Sequence, residues 1–157
     1  GHLNPAVSFS FAVAGGFPWS KFFLYSIAQI LGAFFGSALT WIIYYDALNT
    51  FDGGHRNLLG QNGTADMFAT YPQSFLSTSN GLANEIFATC LLMMCVMAII
   101  DKENMALPTY LLPLMVGLTI ILINCSFCYN SGCAMNPARD FGPRLFTAVA
   151  GWGLEPF

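Results

Sequence analysis

Three long hydrophobic stretches and two short ones alternate with polar segments along this chain. The long stretches, at about residues 22–45, 82–100 and 107–127, have the length that a helix needs to cross a bilayer. The short ones, at about residues 5–14 and 137–150, cover roughly half of a ~30 Å hydrocarbon core at about 1.5 Å per residue. The pattern predicts an all-α membrane protein with three full spans and two half-helices that enter the bilayer without crossing it.

The segment 46–80 is polar, rich in Asp, Asn, Gly, Thr and Ser, and it predicts a long aqueous loop. It contains Asn62 in an Asn-Gly-Thr sequon, a candidate glycosylation site that would place the loop outside the cell if it is used. Lys21 and Lys102 fall on the opposite side, in agreement with the positive-inside rule. We therefore expect an extracellular loop between the first two full spans.

The first full span carries two features of membrane helices. Small residues recur every four positions and form one face, which predicts close approach of another helix: Ala28, Gly32, Gly36 and Thr40. Gln29 in the same span is an amide that needs a hydrogen-bond partner in the protein interior.

The tripeptide Asn-Pro-Ala occurs twice, once at the start of each half-helix: Asn4-Pro5-Ala6 and Asn136-Pro137-Ala138. Three spans lie between the copies, so the two half-helices enter from opposite faces and can meet near the middle. Asn is a favoured N-cap and Pro a favoured first helical residue, so the prolines and alanines are predicted to support the fold.

Each cap is expected to expose an amide donor. If its oxygen accepts from a backbone N–H of its own helix, such as that of Val7 or Arg139, the NH2 group points away as a fixed donor. Two such donors and two positive helix ends would bind a passing water or hydroxyl oxygen, repel cations and oppose proton transfer. This arrangement predicts the filter of a pore.

Charged residues in membrane segments are functional candidates. Arg139 is expected to face a water-filled path, where it could form a second, narrower filter. Asp140 either holds a loop or the Arg139 guanidinium, or pairs with Arg144. The predicted partner of Glu85 is the exposed backbone of a re-entrant loop.

Composition excludes several function classes. Hydrophobic residues make up 55% and charged residues 8% of the chain, and the net charge of -3 comes without a basic cluster, so no nucleic-acid partner is predicted. The pair Cys125-x-x-Cys128 lacks an accompanying His or second Cys pair, so we predict packing residues and no metal or cofactor. No nucleophile–base set is present, and an enzyme is not expected.

The chain begins at Gly1 without Met or a signal peptide, and Gly153–Phe157 follow the second half-helix without a closing span. We expect a fragment of a longer polypeptide that has further spans at both ends.

Two segments resemble the signature loops of the major intrinsic protein (aquaporin) family: GHLNPAV from Gly1 and GCAMNPARD from Gly132. The segments FATYP from Phe68 and DFGPRLF from Asp140 resemble the aquaglyceroporin branch. The resemblance covers essentially the whole chain.

This resemblance implies an inverted-repeat helical bundle of six spans and two half-helices, assembled as a homotetramer in a lipid bilayer, in this case the plasma membrane. It implies passive conduction of water and glycerol, with urea as a further solute. Asn4 and Asn136 would be the central donors, and Arg139 would belong to the outer constriction with Cys133 beside it. Backbone carbonyls would line the path, from His2, Leu3, Ala134 and Met135.

One position departs from the glycerol-conducting pattern. Asn124, twelve residues before the second motif, stands where such relatives usually have a small residue. Its amide could narrow the constriction, which favours a water-restricted channel, or could supply an extra hydrogen bond. A secondary transporter with broken helices is a further alternative, although Glu85 is the only acid well inside a span.

Overall fold

A computed structural model describes residues 2–104 and 106–157, so Gly1 of the first signature loop lies outside the described residues. The described part is helical, without an extended strand, and contains six α-helices: α1 (Pro5–Val13), α2 (Trp19–Ile43), α3 (Tyr45–Asp52), α4 (Thr78–Ile100), α5 (Leu112–Ser131) and α6 (Pro137–Thr147). They form two compact units. The first unit comprises residues up to 70 together with 136–157, and the second comprises residues 71–135.

Three helices are long and apolar enough to cross a membrane: Trp19–Ile43, Thr78–Ile100 and Thr109–Ser131, the last including a 3-10 turn before α5. Large apolar side chains on them are exposed in the chain by itself, such as Leu24 (67%) and Leu122 (69%). Lipid or other protein surfaces are the natural environment for such faces.

The helix boundaries differ from those predicted from hydrophobicity. The predicted span 82–100 begins earlier, at Thr78, because Ser77 caps α4 through an N–H···O bond from Asn80 of 3.3 Å. The predicted span 107–127 becomes α5, which continues to Ser131 and ends where Gly132 adopts φ 81°. Hydrophobicity marks the depth of lipid contact, whereas caps determine where helices begin and end.

Two further boundaries are corrected. The predicted span 22–45 begins at Trp19, directly after Pro18, and ends at Ile43. The predicted half-helices 5–14 and 137–150 are α1 and α6, which end at Val13 and Thr147. A turn with π-type hydrogen bonds, Ala148–Trp152, continues α6 and is broken by Gly151 at φ 120°.

The composition of the connection 46–80 suggested an irregular loop, but part of the connection is helical. It begins with α3, whose inner face buries Leu48 and Asp52 and which ends at Gly53 with φ 65°. A 3-10 turn, Ala65–Met67, follows. Polar residues on the outer face of a short amphipathic helix explain why the composition resembles that of a loop.

The first unit is held together by close packing of α2 on α6. A Cβ atom added to Gly142 of α6 would lie 2.7 Å from the Ile30 carbonyl oxygen and 2.8 Å from Ala33 Cβ of α2. Next to this contact the buried Phe146 ring meets the rings of Phe34 and Phe68, each at 5.8 Å between centroids. Gly142 therefore sets the distance between the two helices.

The small-residue face of α2 does not form this contact. In the described structure the closest approach uses Ile30 and Ala33, whereas a Cβ added to Gly32 or Gly36 would meet nothing within 4 Å. No helix of the described residues approaches this face closely, and the predicted helix contact stays a prediction. The face lines a cavity instead.

We expect Gly142→Ala to destabilise the protein by about 2 kcal/mol or more, because its methyl group would force α2 and α6 apart. Gly36→Ala is the matched control, since its methyl group enters open space. Thermal unfolding in detergent measures the difference, and equal melting temperatures for the two variants would contradict this account of the interface.

A buried ionic cluster holds residues 46–70, the part of the connection that belongs to the first unit. The Arg56 guanidinium lies 2.6 Å from Asp52 Oδ2 and 5.3 Å from the centre of the Trp152 ring. Thr64 donates its hydroxyl to Asp52 at 3.2 Å and accepts from Trp152 Nε1 at 3.2 Å. Burial opposes ionisation of Asp52, but hydrogen bonds from Arg56 and the Gly54 N–H outweigh it and hold the pKa of Asp52 below its ordinary 3.8.

Because the folded pKa lies below the unfolded one, ionised Asp52 stabilises the cluster above about pH 3.8, and this contribution is lost as the pH falls through the folded pKa. We expect Asp52→Asn to cost about 2 kcal/mol locally and to raise hydrogen exchange at Gly54 and Thr64 at neutral pH. Acid is expected to do the same to the unmodified protein. Asp46→Asn, at an exposed position of the same helix, is the control. Unchanged exchange in Asp52→Asn would refute the assignment.

The second unit consists of α4 packed on α5. Its interface contains the rings of Phe87 and Phe127 at 5.5 Å between centroids. Ala88 and Leu92 of α4 and Ile123 of α5 are buried. This packing positions the loop that follows α5.

Candidate functional site

The two Asn-Pro-Ala motifs form matching helix caps. Asn4 Oδ1 accepts from the Ala6 N–H at 2.8 Å, and Asn136 Oδ1 accepts from the N–H groups of Ala138 (3.1 Å) and Arg139 (3.2 Å). The sequence named the Val7 N–H as a donor to the first cap, but the Ala6 N–H has that role. The caps have similar backbone angles, φ -156° and ψ 119° for Asn4 and φ -146° and ψ 103° for Asn136.

The residue before each cap has a left-handed backbone. Leu3 has φ 55° and Met135 has φ 47°, a conformation that costs a residue with a side chain about 1 kcal/mol. The same unfavourable angle at the same place in both motifs supports a duplicated design. It also explains how an extended loop turns abruptly into a helix whose first residue is proline, Pro5 or Pro137.

One hydrogen bond joins the two half-helix tips within the first unit. Asn136 Nδ2 donates to the Leu3 carbonyl oxygen at 2.9 Å. This bond fixes the plane of the Asn136 amide, and its second N–H then has a defined direction. The N-terminal ends of α1 and α6 therefore lie together, so their positive dipole ends act on the same region.

A cavity of about 750 Å³ adjoins these tips. Its lining includes the polar residues Asn136, Arg139, Gln29 and His2. Leu3 also lines it. Arg139 is exposed, and in the described residues its guanidinium has no hydrogen bond or ion pair. Its N–H groups can therefore donate hydrogen bonds to a solute in the cavity.

Ser8 connects the first loop, the first half-helix and α2. Its side chain is fully buried, donates to the Asn4 carbonyl at 3.2 Å, and lies 3.0 Å from His2 Nδ1. Gln29 Nε2 donates to the same hydroxyl at 3.2 Å, whereas Gln29 Oε1 is buried without a partner in the described residues. Ser8 was not predicted from the sequence as a site residue.

The sequence left three partners open for Asp140: a loop, the Arg139 guanidinium and Arg144. The structure shows the loop and Arg144 as its partners. Its Oδ1 accepts from the backbone N–H (2.8 Å) and hydroxyl (2.6 Å) of Thr70, so it holds the loop. Its Oδ2 pairs with Arg144 Nε at 2.7 Å. Arg144 also donates to the carbonyls of Thr70 and Pro156. No contact with Arg139 is found among the described residues.

Glu85 of α4 holds the loop that follows α5 in the second unit. Its carboxylate accepts from the Ser131 hydroxyl (2.7 Å) and from the backbone N–H groups of Ala134 (3.2 Å) and Met135 (3.0 Å). A backbone loop is the kind of partner expected for this acid. Because the N–H groups point to Glu85, the orientation of these peptide planes is fixed.

Cys133 and Asn124 also belong to the second unit. Cys133 is 4% exposed, and its sulfur lies 4.0 Å from Asn84 Nδ2. Asn124 is half-buried in α5, and its Oδ1 accepts from the Cys128 thiol at 3.3 Å. Its carbonyl is therefore directed along its own helix.

The predicted sequon lies in the first unit. Asn62 is exposed, whereas the Thr64 hydroxyl of the same sequon is buried and hydrogen-bonded to Asp52.

Comparisons with known proteins find similarity to one family along nearly the whole chain. A family model described as "Major intrinsic protein" matches residues 1–152. Aquaporin-9 of Mus musculus is 51% identical over 157 residues, which are 100% of this chain and 53% of that protein. Aquaporin-10 of Homo sapiens is 44% identical over 156 residues, 99% of this chain and 52% of that protein.

Aquaporin-2 of Milnesium tardigradum is 49% identical over 155 residues, 99% of this chain and 48% of that protein. The chain thus spans about half the length of the curated relatives it matches. The X-ray structure of the aquaglyceroporin from Plasmodium falciparum superposes with a TM-score of 0.87 at 28% identity, over 99% of this chain and 60% of that one. The predicted all-α inverted-repeat fold is confirmed by this similarity.

Proposed function

Because this chain belongs to the major intrinsic protein family, we propose that it forms part of a passive membrane channel. The channel conducts water and small neutral polyols such as glycerol, with urea as a further solute, and excludes ions and protons. No metal or cofactor takes part, and the protein acts as a conduit and not as an enzyme.

The observation that carries this proposal is the hydrogen bond between the half-helix tips. Asn136 Nδ2 lies 2.9 Å from the Leu3 carbonyl, directly before the cap Asn4. An amide held in this way offers its remaining hydrogen to a passing oxygen without having to reorganise. A water molecule or an alcohol can accept it, whereas a cation has nothing to accept with.

Electrostatics supports the exclusion of cations. Each helix N-terminus corresponds to about half a positive charge. At about 5 Å from both ends, and with an effective dielectric constant of about 20, a monovalent cation is opposed by about 3 kcal/mol. This is about a hundredfold in population, before the loss of hydration adds to it. Neutral solutes do not experience this barrier.

We assign the outer filter to Arg139, with Cys133 beside it. The Arg139 guanidinium lines the cavity and has no partner among residues 2–104 and 106–157, which supports this role, since it can donate to a solute hydroxyl and repel a hydrated proton. Backbone carbonyls would supply the acceptors along the path: His2, Leu3, Ala134 and Met135. A set of donors and acceptors suits a polyol, whose hydroxyl groups both donate and accept.

In this proposal glycerol passes because the Asn124 side chain does not narrow the path. Its carbonyl is engaged by Cys128 inside the same helix, which favours a side chain that leaves the path open. The similarity to a protein described as the aquaglyceroporin from Plasmodium falciparum supports glycerol as a solute.

Paired flux measurements test the function. We expect vesicles containing the protein to take up water and glycerol faster than empty vesicles, without a sodium or proton gradient. Asn124→Ala is expected to leave glycerol flux unchanged or to raise it up to about twofold, because it removes only a side chain bonded to its own helix. Water flux without glycerol flux would refute the polyol part, and gradient-dependent uptake would refute a passive channel.

We further propose that the channel is a homotetramer in the plasma membrane, with the connection 46–80 outside the cell. Exposure of Asn62 supports its use as a glycosylation site. Because the Thr64 hydroxyl is buried in the folded state, attachment would precede folding of this connection. Removal of glycans by an endoglycosidase, compared between the protein and Asn62→Gln, tests the assignment.

A further inference from the structure

Polar side chains on α4 and α5 form a chain of hydrogen bonds that leads to Glu85. Asn130 Nδ2 donates to Asn84 Oδ1 at 3.1 Å, and Asn84 Nδ2 donates to the Ser131 hydroxyl at 3.4 Å. The Ser131 hydroxyl donates in turn to Glu85 Oε1 at 2.7 Å. We call Asn130, Asn84 and Ser131 the polar relay. All three belong to the second unit, and none was predicted from the sequence as a site residue.

The Glu85 carboxylate fixes the direction of every bond in the polar relay. A carboxylate offers only acceptors, so the single hydrogen of the Ser131 hydroxyl must point to Glu85. The lone pairs of Ser131 then face Asn84, which has to present its NH2 group to Ser131 and its carbonyl oxygen to Asn130. Asn130 can bond this oxygen only through its own NH2 group. An amide turned around at either asparagine would therefore place like groups against each other.

The inner end of the polar relay lies on the side chain that holds the loop after α5. Both Glu85 oxygens accept from backbone N–H groups of this loop, Oε1 from Ala134 and Oε2 from Met135. Ser131 shares Oε1 with the Ala134 N–H, so its hydrogen bond restricts rotation of the carboxylate. Ser131 is only 9% exposed, so water cannot easily take its place. The orientation of the carboxylate therefore depends on Ser131.

The outer end of the polar relay lies in a groove of about 510 Å³. Asn84 and Asn130 line this groove, and so does Asn80, which does not belong to the relay. The Asn130 carbonyl oxygen of the backbone accepts from the Gln73 N–H at 2.9 Å, which ties Asn130 to the segment before α4. A substitution of the Asn130 side chain therefore changes the outer end of the relay and leaves its inner end in place.

We propose that the three residues of the polar relay are positioning residues for the pore wall. They orient Glu85 so that both of its oxygens meet the loop, and through Glu85 they set the peptide planes at Ala134 and Met135. Hydrogen bonds in a chain polarise one another, so a bond reversed at one end weakens the bonds further along. The effect on the loop depends only on these contacts, whereas the effect on conduction rests on the proposed channel function.

Asn130→Asp tests the direction of the polar relay, a property that packing alone lacks. The new carboxylate offers no donor to Asn84 Oδ1, so we expect the Asn84 amide to turn and place its oxygen against the Ser131 hydroxyl. Ser131 then has one hydrogen for two competing acceptors, and the hold on Glu85 weakens. We expect hydrogen exchange at the two loop N–H groups to rise about tenfold or more, because a bond to a charged acceptor is lost for part of the time. Water flux in vesicles is expected to fall by about half or more.

Two variants separate this effect from charge and from truncation. Asn80→Asp adds the same charge to the same groove and is expected to match the unmodified protein in loop exchange and water flux. Asn130→Ala removes a donor without supplying a competing acceptor, so loop exchange is expected to rise by no more than about threefold. Exchange is measured by mass spectrometry on the peptide that contains the loop, in purified protein in vesicles.

Variants of Ser131 test the inner end of the polar relay. Ser131→Ala is expected to raise loop exchange about tenfold by itself, and Asn130→Asp added to it is expected to have no further effect, because the relay is already interrupted. Ser131→Thr keeps the hydroxyl and is expected to restore the exchange of the unmodified protein. If Ser131→Ala lost protection throughout α4 and α5, the comparison of Asn130→Asp with Asn80→Asp would still decide, because both variants keep Ser131.

Two outcomes would overturn the polar relay: equal loop exchange in Asn130→Asp and Asn80→Asp, or effects of Asn130→Asp and Ser131→Ala that simply add. Water flux separates this inference from the proposed function. Absence of flux in the unmodified protein counts against the channel and not against the relay. A rise in loop exchange without any change in flux refutes only the link to conduction.

Discussion

Asn136→Asp is expected to make the protein leak cations and protons while leaving the helix cap in place. Aspartate caps a helix as well as asparagine does, so the bonds from the N–H groups of Ala138 and Arg139 persist. The donor to the Leu3 carbonyl is lost, and two acceptors then face each other at the position of a 2.9 Å hydrogen bond.

The change in electrostatics is large. A full negative charge about 5 Å from a passing cation attracts it by about 3 kcal/mol at an effective dielectric constant of about 20, which cancels the opposition of two half-charges. We therefore expect sodium and proton permeability to rise about tenfold or more, and water flux to fall because the fixed donor is missing. Vesicles that contain a pH-sensitive dye, together with a membrane-potential dye, measure both leaks.

Asn62→Asp provides the control, because it adds the same charge at an exposed position of the connection. It is expected to leave ion permeability at the level of the unmodified protein. Asn4→Asp, at the other cap, is expected to leak as Asn136→Asp does. Identical cation and proton permeability in all four proteins would show that the half-helix tips do not provide the electrostatic barrier.

The local chemistry of the caps could be predicted from the sequence, but the partners could not. Asn followed by Pro favours a helix start, so the beginnings of α1 and α6 could be predicted from Pro5 and Pro137. Which N–H an asparagine oxygen accepts depends on small differences in backbone angles. The first cap therefore uses Ala6 and not Val7.

Contacts between distant residues were beyond the sequence for a physical reason. A serine inside a helix usually donates to the carbonyl four residues earlier, and Ser8 does so at Asn4. Nothing local indicates that its lone pairs are also used by Gln29, 21 positions away. In the same way, the bonds of Asp140 to Thr70 span 70 positions and follow from packing and not from pattern.

Glu85→Gln is expected to cost about 3 kcal/mol of stability and to abolish most of the flux. The carboxylate accepts three hydrogen bonds, from the Ser131 hydroxyl and from two consecutive backbone N–H groups. Hydrogen bonds to a charged acceptor contribute about 1.5–3 kcal/mol each. Glutamine keeps one acceptor oxygen and places an NH2 group where the second carboxylate oxygen stood, so at least one N–H of the loop meets another donor.

We expect Glu85→Gln to lower flux because it disturbs the loop that follows α5. Without both acceptors the peptide planes at Ala134 and Met135 lose the bonds that orient them to Glu85, and Met135 already has a costly φ of 47°. The carbonyls proposed to line the path would then no longer point in one direction. Thermal unfolding in detergent measures the stability term, and water and glycerol flux at equal protein density measure the functional one.

Glu103→Gln isolates the effect of position from that of lost charge, because Glu103 is an exposed acid in the turn between α4 and α5. It is expected to match the unmodified protein in both measurements. Glu85→Asp keeps the charge but shortens the reach, so it is expected to lie between the two variants in stability. If Glu85→Gln unfolded at the same temperature as Glu103→Gln and conducted equally well, the loop would have to be held by its own backbone. The carboxylate would then be dispensable.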